Sequence, residues 1–159
     1  MRLNFSGKDA EKTGQDDSPQ QLPKINEPAP QFTAVTTEGE ISLSDYRGQW
    51  VMLFSHPSDF TPVCTTEFVS FSRNYNRFKE LNTALIGLSI DSVYSHIAWV
   101  RNIEELFGVE VPFPIIEDLG MNVANKYGMI QPGVSDTSAV RAVFIIDPEQ
   151  IIRAIVYYP

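Results

Sequence analysis

Cys64 is the one cysteine of this 159-residue chain, and the residues before it predict that its thiol lies at the start of a helix. Thr61 is a favourable N-cap residue, because its hydroxyl can accept a hydrogen bond from an unpaired amide of the first turn. Pro62 suits the first helical position, where its missing N–H costs nothing. Cys64 is then the third helical residue, near the positive end of the helix dipole. Because a thiolate is stabilised there and is the reactive form of cysteine, the sequence indicates sulfur chemistry.

The helix dipole supplies only part of the free energy that ionises a thiol at neutral pH. Lowering a thiol pKa from about 8.5 to about 6 requires roughly 3.4 kcal/mol. A helix terminus contributes about 0.3–1 kcal/mol, and up to about 2 kcal/mol in a partly buried geometry. A nearby cation or further charge-assisted hydrogen bonds must supply the rest. We therefore expect an arginine beside Cys64.

The residues around Cys64 resemble the active-site motif of the peroxiredoxins, and most closely that of their one-cysteine group. The spacing is Pro57-x-x-x-Thr61-x-x-Cys64, within the run His-Pro-x-Asp-Phe-Thr-Pro-Val-Cys-Thr-Thr-Glu. The resemblance extends from about Leu22 to Pro159, and its blocks occur in the family's order. They are residues 56–67, 88–92, 112–116 and 140–147. Four blocks in this order argue against a chance similarity.

The resemblance implies a role for each of four residues. Cys64 resembles the peroxidatic cysteine, Thr61 a ligand of the peroxide oxygens, and Pro57 a shield over the pocket. Arg141 resembles the active-site arginine, and so provides the expected cation. Each residue also has a purely structural interpretation: an inert buried cysteine, an N-cap, a strand end and an ion pair. For Cys64 we favour the site role, because the cap-and-proline arrangement and the resemblance outweigh the inert alternative. For Arg141 we favour the pocket role, because a cation that begins an apolar strand needs a counter-charge or a function.

Glu67 and His56 are the candidate supporting residues. Glu67 lies three residues after Cys64 on the same side of the helix, where it can complement the dipole, anchor an arginine of the pocket through a bidentate pair, or do both. His56 could form a cysteine–histidine pair, but it ends a strand before a proline, so we favour local packing or hydrogen bonding. His96 is predicted to lie on a helix face. The histidines and the cysteine show no metal-ligand spacing, and no metal or organic cofactor is predicted.

Composition and charge restrict the possible partners and location. The hydrophobic content of 43% is typical of a soluble globular protein, and there is no run of about 18 apolar residues that could span a membrane. Residues 1–24 contain four basic and four acidic side chains, so the net charge of −8 lies in the rest of the chain. No basic stripe is present, so neither nucleic acid nor membrane is an expected partner. A single cysteine and a polar start without a secretory signal favour the cytoplasm.

Strand and helix signals alternate along the chain after a polar segment. Residues 1–24 are predicted to be a disordered tail and residues 25–159 one domain. Strands are predicted at 32–36, 51–54, 84–90, 114–116, 140–146 and 151–157, and helices after Thr61, from Val93 to about Gly108, and at 122–127. One aromatic stripe is predicted to lie on a single helix and to be core: Phe68, Phe71, Tyr75 and Phe78.

The alternation of strands and helices predicts an α/β layered fold. The resemblance implies a thioredoxin-like fold, with a central mixed β-sheet flanked by helices. It also implies a further C-terminal helix that this chain lacks after Pro159, and we favour a truncation.

The expected function is a thiol peroxidase that reduces hydrogen peroxide and organic hydroperoxides. Cys64 would become a sulfenic acid, and an external thiol such as thioredoxin, glutathione or a partner's cysteine would regenerate it. The resemblance implies a homodimer paired through residues 151–157, or a larger ring. The alternative is a thioredoxin-fold redox sensor or holdase chaperone, in which oxidation changes assembly without sustained turnover.

Overall fold

The computed structural model describes residues 22–131, 133–134 and 138–158. The predicted disordered tail therefore lies almost entirely outside the described residues. Seven strands are described: β1 Thr33–Thr36, β2 Gly39–Ser42, β3 Trp50–Ser55, β4 Thr83–Ser89, β5 Ile115–Glu117, β6 Arg141–Ile146 and β7 Ile152–Tyr158. The helices are α1 Pro62–Arg73, α2 Tyr75–Glu80, α3 Val93–Phe107 and α4 Asn122–Lys126, with a 3-10 helix at Leu43–Tyr46.

The described strands form one mixed sheet in the order β2-β1-β5-β4-β3-β6-β7. β3, β4 and β5 are parallel, whereas the other neighbouring pairs are antiparallel. β3 lies inside the sheet and is buried from Val51 to Ser55. A strand that is covered on both faces has a continuous apolar sequence, and the sequence predicted β3 from such a run.

Two apolar clusters cover the two faces of β3. Val51 and Leu53 face a cluster that includes residues of α4, whereas Met52 and Phe54 face residues of α1 and α3. Alternate residues of a strand point to opposite faces, so one short strand contributes to both clusters. The helices therefore flank a central mixed sheet, as predicted.

Two predictions of local structure need correction. The aromatic stripe does not lie on one helix, because α1 ends at Arg73 and α2 begins at Tyr75. Asn74 separates them, and its side chain donates to the Ser70 carbonyl oxygen at 2.9 Å. Asparagine competes in this way for helical backbone groups. The hairpin strand β2 was not predicted, because its sequence Gly-Glu-Ile-Ser contains one apolar residue.

The other boundaries follow the sequence signals closely. α1 begins at Pro62, as predicted. α3 begins after Ser92, whose hydroxyl accepts a hydrogen bond from the Ser95 amide at 3.2 Å. It ends before Gly108, which has the left-handed φ of 62° that glycine favours at a helix C-terminus. No helix in the described part of the chain is long and apolar enough to cross a membrane.

Phe68 occupies the centre of the cluster between the sheet, α1 and α3. Its ring centroid lies 4.5 Å from that of Trp99, 5.4 Å from Phe54 and 5.5 Å from Phe113. Gly87 on β4 makes room for the ring, since a Cβ there would lie 3.2 Å from Phe68 Cζ. This packing fixes α1, and with it Cys64, against the sheet.

We expect Phe68→Ala to lower the free energy of unfolding by about 3–5 kcal/mol, because it leaves a cavity in a close-packed aromatic cluster. Urea denaturation followed by circular dichroism measures this loss. Tyr94→Ala is the control, since Tyr94 is also helical but 81% exposed, and we expect a change of about 0.5 kcal/mol or less. Equal effects of the two substitutions would contradict the packing described above.

Candidate active site

The loop of residues 56–61 joins the end of β3 to the start of α1 and carries three of the predicted site residues. Thr61 has the extended backbone of an N-cap, with φ −90° and ψ 146°. Its hydroxyl does not cap α1, which corrects the predicted hydrogen bond; it donates instead to the Ser58 carbonyl oxygen at 3.1 Å. Pro62 is the first helical residue and Cys64 the third, as the sequence predicted.

Arg141 contacts Cys64 directly, although 77 residues separate them in sequence. Its Nη2 donates to Cys64 Sγ at 3.3 Å. Arg141 is the first residue of β6, which pairs antiparallel with β3 so that Ala142 lies opposite Ser55. The Ser55 hydroxyl fixes this end of β6, because it donates to the Val140 carbonyl oxygen at 2.6 Å and accepts from the Ala142 amide at 3.1 Å. The pairing brings the guanidinium to the first turn of α1.

Glu67 accepts hydrogen bonds from both Arg141 and Tyr158. Arg141 Nη1 donates to one carboxylate oxygen at 2.6 Å, and the Tyr158 hydroxyl donates to the other at 3.1 Å. Tyr158 lies opposite Arg141 in the pairing of β6 with β7. Burial and the negative charge of Glu67 raise the pKa of Tyr158, so its hydroxyl stays protonated and remains a donor. The predicted pair of Glu67 with an arginine is present, but Arg141 uses one carboxylate oxygen and Tyr158 the other, so the pair is not bidentate.

A pocket of about 430 Å³ opens beside Arg141. Its lining includes Pro57, Gln131, Val134, Ala139 and Tyr158. Cys64 has no exposed surface and is not part of this lining. A small molecule in the pocket therefore meets Pro57 and Arg141 before it meets the sulfur.

His56 and His96 lie on either side of Asp59 in a buried cluster. His56 Nε2 lies 2.7 Å from Asp59 Oδ1, and His96 Nδ1 lies 2.8 Å from Asp59 Oδ2. The prediction that His56 packs and hydrogen-bonds locally agrees with this geometry. His96 is fully buried rather than simply on a helix face. Asp59 was missed as a site residue, because nothing local in the sequence shows that two histidines meet it.

Among the described residues, the His56–Asp59–His96 cluster is the candidate for a metal site. Its possible ligand atoms all lie within 4.8 Å of one another. Two ligands of a tetrahedral zinc ion at about 2.0–2.1 Å lie roughly 3.3 Å apart. The two nitrogen–oxygen distances of 2.7 and 2.8 Å are shorter. They match charge-assisted hydrogen bonds, so the residues fit a hydrogen-bonded network and do not fit a metal site.

Comparisons with known proteins agree with the fold. The sequence model of the AhpC/TSA family matches residues 25–155. The chain is 62% identical over 139 residues to a peroxiredoxin of Aquifex aeolicus, covering 87% of this chain and 63% of that protein. It is 64% identical over 138 residues to peroxiredoxin 2 of Caldanaerobacter subterraneus, covering 87% and 62%. The structure of a yeast mitochondrial 1-Cys peroxiredoxin superposes with a TM-score of 0.80 at 44% identity, covering 87% of this chain and 68% of that one.

The mixed sheet and its flanking helices define a thioredoxin-like fold, in which the Cys64 thiol lies at the start of α1. The chain belongs to the AhpC/TSA family, and its resemblance to the peroxiredoxins is confirmed. The predicted thioredoxin-like fold is also confirmed by the superposition. The chain spans 62–63% of the length of the two relatives described above.

We expect Arg141→Gln to slow the alkylation of Cys64 at pH 7 by about tenfold or more, because an adjacent cation favours the thiolate, which is the reactive form. Iodoacetamide labelling at pH 7, followed by mass spectrometry, measures the rate. Arg153→Gln is the matched control, since Arg153 pairs with Asp147, a carboxylate outside this site. An unchanged labelling rate in Arg141→Gln would remove the guanidinium from thiolate stabilisation.

Proposed function

We propose that the protein is a thiol peroxidase that reduces hydrogen peroxide and organic hydroperoxides. The observation that carries the proposal is the 3.3 Å contact between Arg141 Nη2 and Cys64 Sγ at the first turn of α1. A guanidinium and a helix N-terminus both favour the thiolate. The thiolate is the nucleophile that peroxide reduction requires.

The reaction is a displacement at oxygen. The Cys64 thiolate attacks the nearer oxygen of the hydroperoxide, a sulfur–oxygen bond forms, and the oxygen–oxygen bond breaks. The sulfur supplies the two electrons, and the leaving oxygen takes up a proton from solvent to give water or an alcohol. Cys64 is left as a sulfenic acid.

Arg141 and Thr61 act where negative charge develops. Arg141 lies at the pocket and donates to the sulfur, so its guanidinium is placed to stabilise charge on the breaking oxygen–oxygen bond. The Thr61 hydroxyl makes a local bond to Ser58 and can turn to donate to a bound peroxide. Pro57 shields the pocket, and Glu67 orients Arg141 through its 2.6 Å hydrogen bond. The contacts of Arg141 with Cys64 and Glu67 exist before substrate binds, so the guanidinium needs little reorganisation in the transition state.

Regeneration of Cys64 requires a thiol that this chain does not supply, because Cys64 is its one cysteine. The yeast mitochondrial 1-Cys peroxiredoxin is described as resolved via glutathione/thioredoxin systems. We propose a reductant of the same class here, thioredoxin or glutathione. A cytoplasmic location is part of the proposal, on the sequence features given above.

A homodimer or larger homo-oligomer is also part of the proposal. β7 is one of the two edge strands of the described sheet, and its last residues Val156, Tyr157 and Tyr158 are exposed. An edge strand offers unpaired backbone groups to a second copy.

We expect Cys64→Ser to abolish peroxide consumption and Thr61→Val to slow it by about 10²–10³-fold, the usual effect of removing one donor to a developing negative charge. Peroxide loss with a thiol reductant, followed over many turnovers, measures both. Thr66→Val is the matched control, because Thr66 lies in the first turns of α1, which Thr61 precedes, and its hydroxyl donates to the Val63 carbonyl oxygen. A wild-type rate in Thr61→Val would remove Thr61 from the mechanism.

The same assay distinguishes the peroxidase from a redox sensor or holdase. A single stoichiometric oxidation of Cys64, followed by a change in oligomer size and no further peroxide loss, would contradict the peroxidase. Sustained turnover supports it.

A further inference from the structure

His96 is held by two acceptors on opposite sides of its ring. Its Nε2 lies 3.1 Å from the Ile116 carbonyl oxygen. A carbonyl oxygen only accepts, so Nε2 carries a proton. The other nitrogen, Nδ1, lies 2.8 Å from Asp59 Oδ2. This second contact needs a second proton, which resides either on His96 Nδ1 or on the Asp59 carboxyl group.

The surroundings of Asp59 decide where the second proton resides. Besides His96, the carboxyl group receives hydrogen bonds from His56 Nε2 at 2.7 Å and from the Ser95 hydroxyl at 2.8 Å. Burial raises the pKa of Asp59, but the hydrogen bonds from the two histidines outweigh burial and hold it below its usual range. Two donors besides His96, the His56 ring and the Ser95 hydroxyl, favour the ionised carboxylate, which leaves the proton on the His96 imidazole.

His56 differs from His96 although both contact the same carboxylate. Its Nδ1 is buried and has no hydrogen-bond partner among the described residues. A proton on this nitrogen would be an unpaired buried donor, in addition to an unpaired charge. Burial lowers the pKa of His56, in agreement with a neutral ring that donates only through Nε2.

We propose that His96 is a buried imidazolium paired with ionised Asp59, that His56 is neutral, and that Asp59 and His96 are positioning residues for the peroxidase site. The part that concerns catalysis rests on the proposed function. His96 faces His56, whose ring centroid is 6.1 Å away, in addition to Asp59. Another charged group, Asp91, lies beside this network. It accepts hydrogen bonds from the Asp59 amide at 2.9 Å and from the Ser89 hydroxyl at 2.8 Å.

The ion pair fixes the loop that carries Pro57 and Thr61. Asp59 lies in the middle of this loop and is tied to α3 through His96 and to β5 through the Ile116 carbonyl oxygen. The His56 ring packs on Phe68 of α1 and on Trp99 of α3, each at a centroid distance of 5.0 Å.

Trp99 connects α3 directly to the turn that holds the sulfur. Its Nε1 donates to the hydroxyl of Thr65, the residue after Cys64, at 3.2 Å. The hydrogen bond from Trp99 to Thr65 does not involve Asp59. Loss of the Asp59 carboxylate would therefore loosen the placement of Thr61 and Pro57 but leave the Arg141–Cys64 contact in place.

The protonation states are read directly from the histidine ring nitrogens, in the reduced, untagged protein. The chain has two histidines, so long-range ¹H–¹⁵N NMR shows two rings, and His96→Gln assigns them. At pH 7.5 we expect two protonated nitrogens in His96, and one protonated Nε2 with a bare Nδ1 in His56. A neutral His96 ring would overturn the proposal. This measurement does not depend on peroxidase activity, so it also stands if the proposed function fails.

The positioning role is tested with Asp59→Asn. We expect the second-order rate constant for peroxide to fall by about 10²-fold, the usual cost of a small misplacement of reacting groups. The rate of Cys64 alkylation at pH 7 should fall far less than in Arg141→Gln. Asp118→Asn is the matched control, because this buried carboxylate accepts from the Val123 and Ala124 amides at α4 and should leave the rate unchanged.

Three results would overturn the positioning proposal. The first is a wild-type peroxide rate in folded Asp59→Asn. The second is a rate of Cys64 alkylation at pH 7 that falls as far as it does in Arg141→Gln, because the residue would then act on the thiol itself. The third is stoichiometric uptake of Zn²⁺ by the wild-type protein with loss of the His96 ring protons, because the cluster would then be a metal site. If Asp59→Asn does not fold, His96→Gln is the second variant, and a wild-type peroxide rate in it overturns the positioning role.

Discussion

The antiparallel pairing of β6 with β3 is the constraint on which the site depends. It sets Ala142 opposite Ser55, so the first residue of β6 lies where the chain leaves β3 for α1. Arg141 therefore reaches a sulfur 77 residues away in sequence. Because both faces of β3 are covered by apolar clusters, a slip of one residue would turn its side chains to the wrong faces. The same packing that stabilises the sheet thus sets the distance between guanidinium and thiol.

Charge balance at the site is shared among more groups than the arginine and the cysteine. With a neutral thiol, Arg141 and Glu67 cancel each other. Ionisation of Cys64 adds a second negative charge to one guanidinium, and the remaining stabilisation comes from the start of α1. The Tyr158 hydroxyl donates to Glu67, which lets the carboxylate share Arg141 with the sulfur. The arginine is an electrostatic partner of both anions, and its geometry is set by β7 as well as by β6.

Local sequence signals predicted the elements well, and long-range contacts much less. Pro62 and Gly108 marked helix ends, because proline and glycine have restricted or unusual backbone preferences at those positions. The break at Asn74 was missed, because the aromatic spacing of three and four continues across it. The predicted N-cap hydrogen bond of the Thr61 hydroxyl was wrong, since this hydroxyl donates to a carbonyl oxygen of the loop and does not accept from an amide.

The features of the candidate site also divide into those that the sequence predicted and those that only the tertiary structure shows. A cysteine at a helix start and the need for a cation followed from physical chemistry, whereas the resemblance, rather than any local rule, selected Arg141. The meeting of Asp59 with His96 depends on how α3 packs against the loop, and no spacing in the sequence encodes that contact. Buried polar networks of this kind are properties of tertiary structure.

The complete burial of Cys64 has a consequence for chemical selectivity. Protein thiols and disulfides are far larger than a hydroperoxide, and in this conformation the sulfur presents no surface to them. A hydroperoxide group contains two oxygen atoms and needs only a narrow opening. The size of a reagent therefore decides whether it can reach the thiolate. In this conformation a protein thiol such as the proposed thioredoxin cannot contact Cys64, so regeneration by such a reductant requires a conformation that exposes the sulfur.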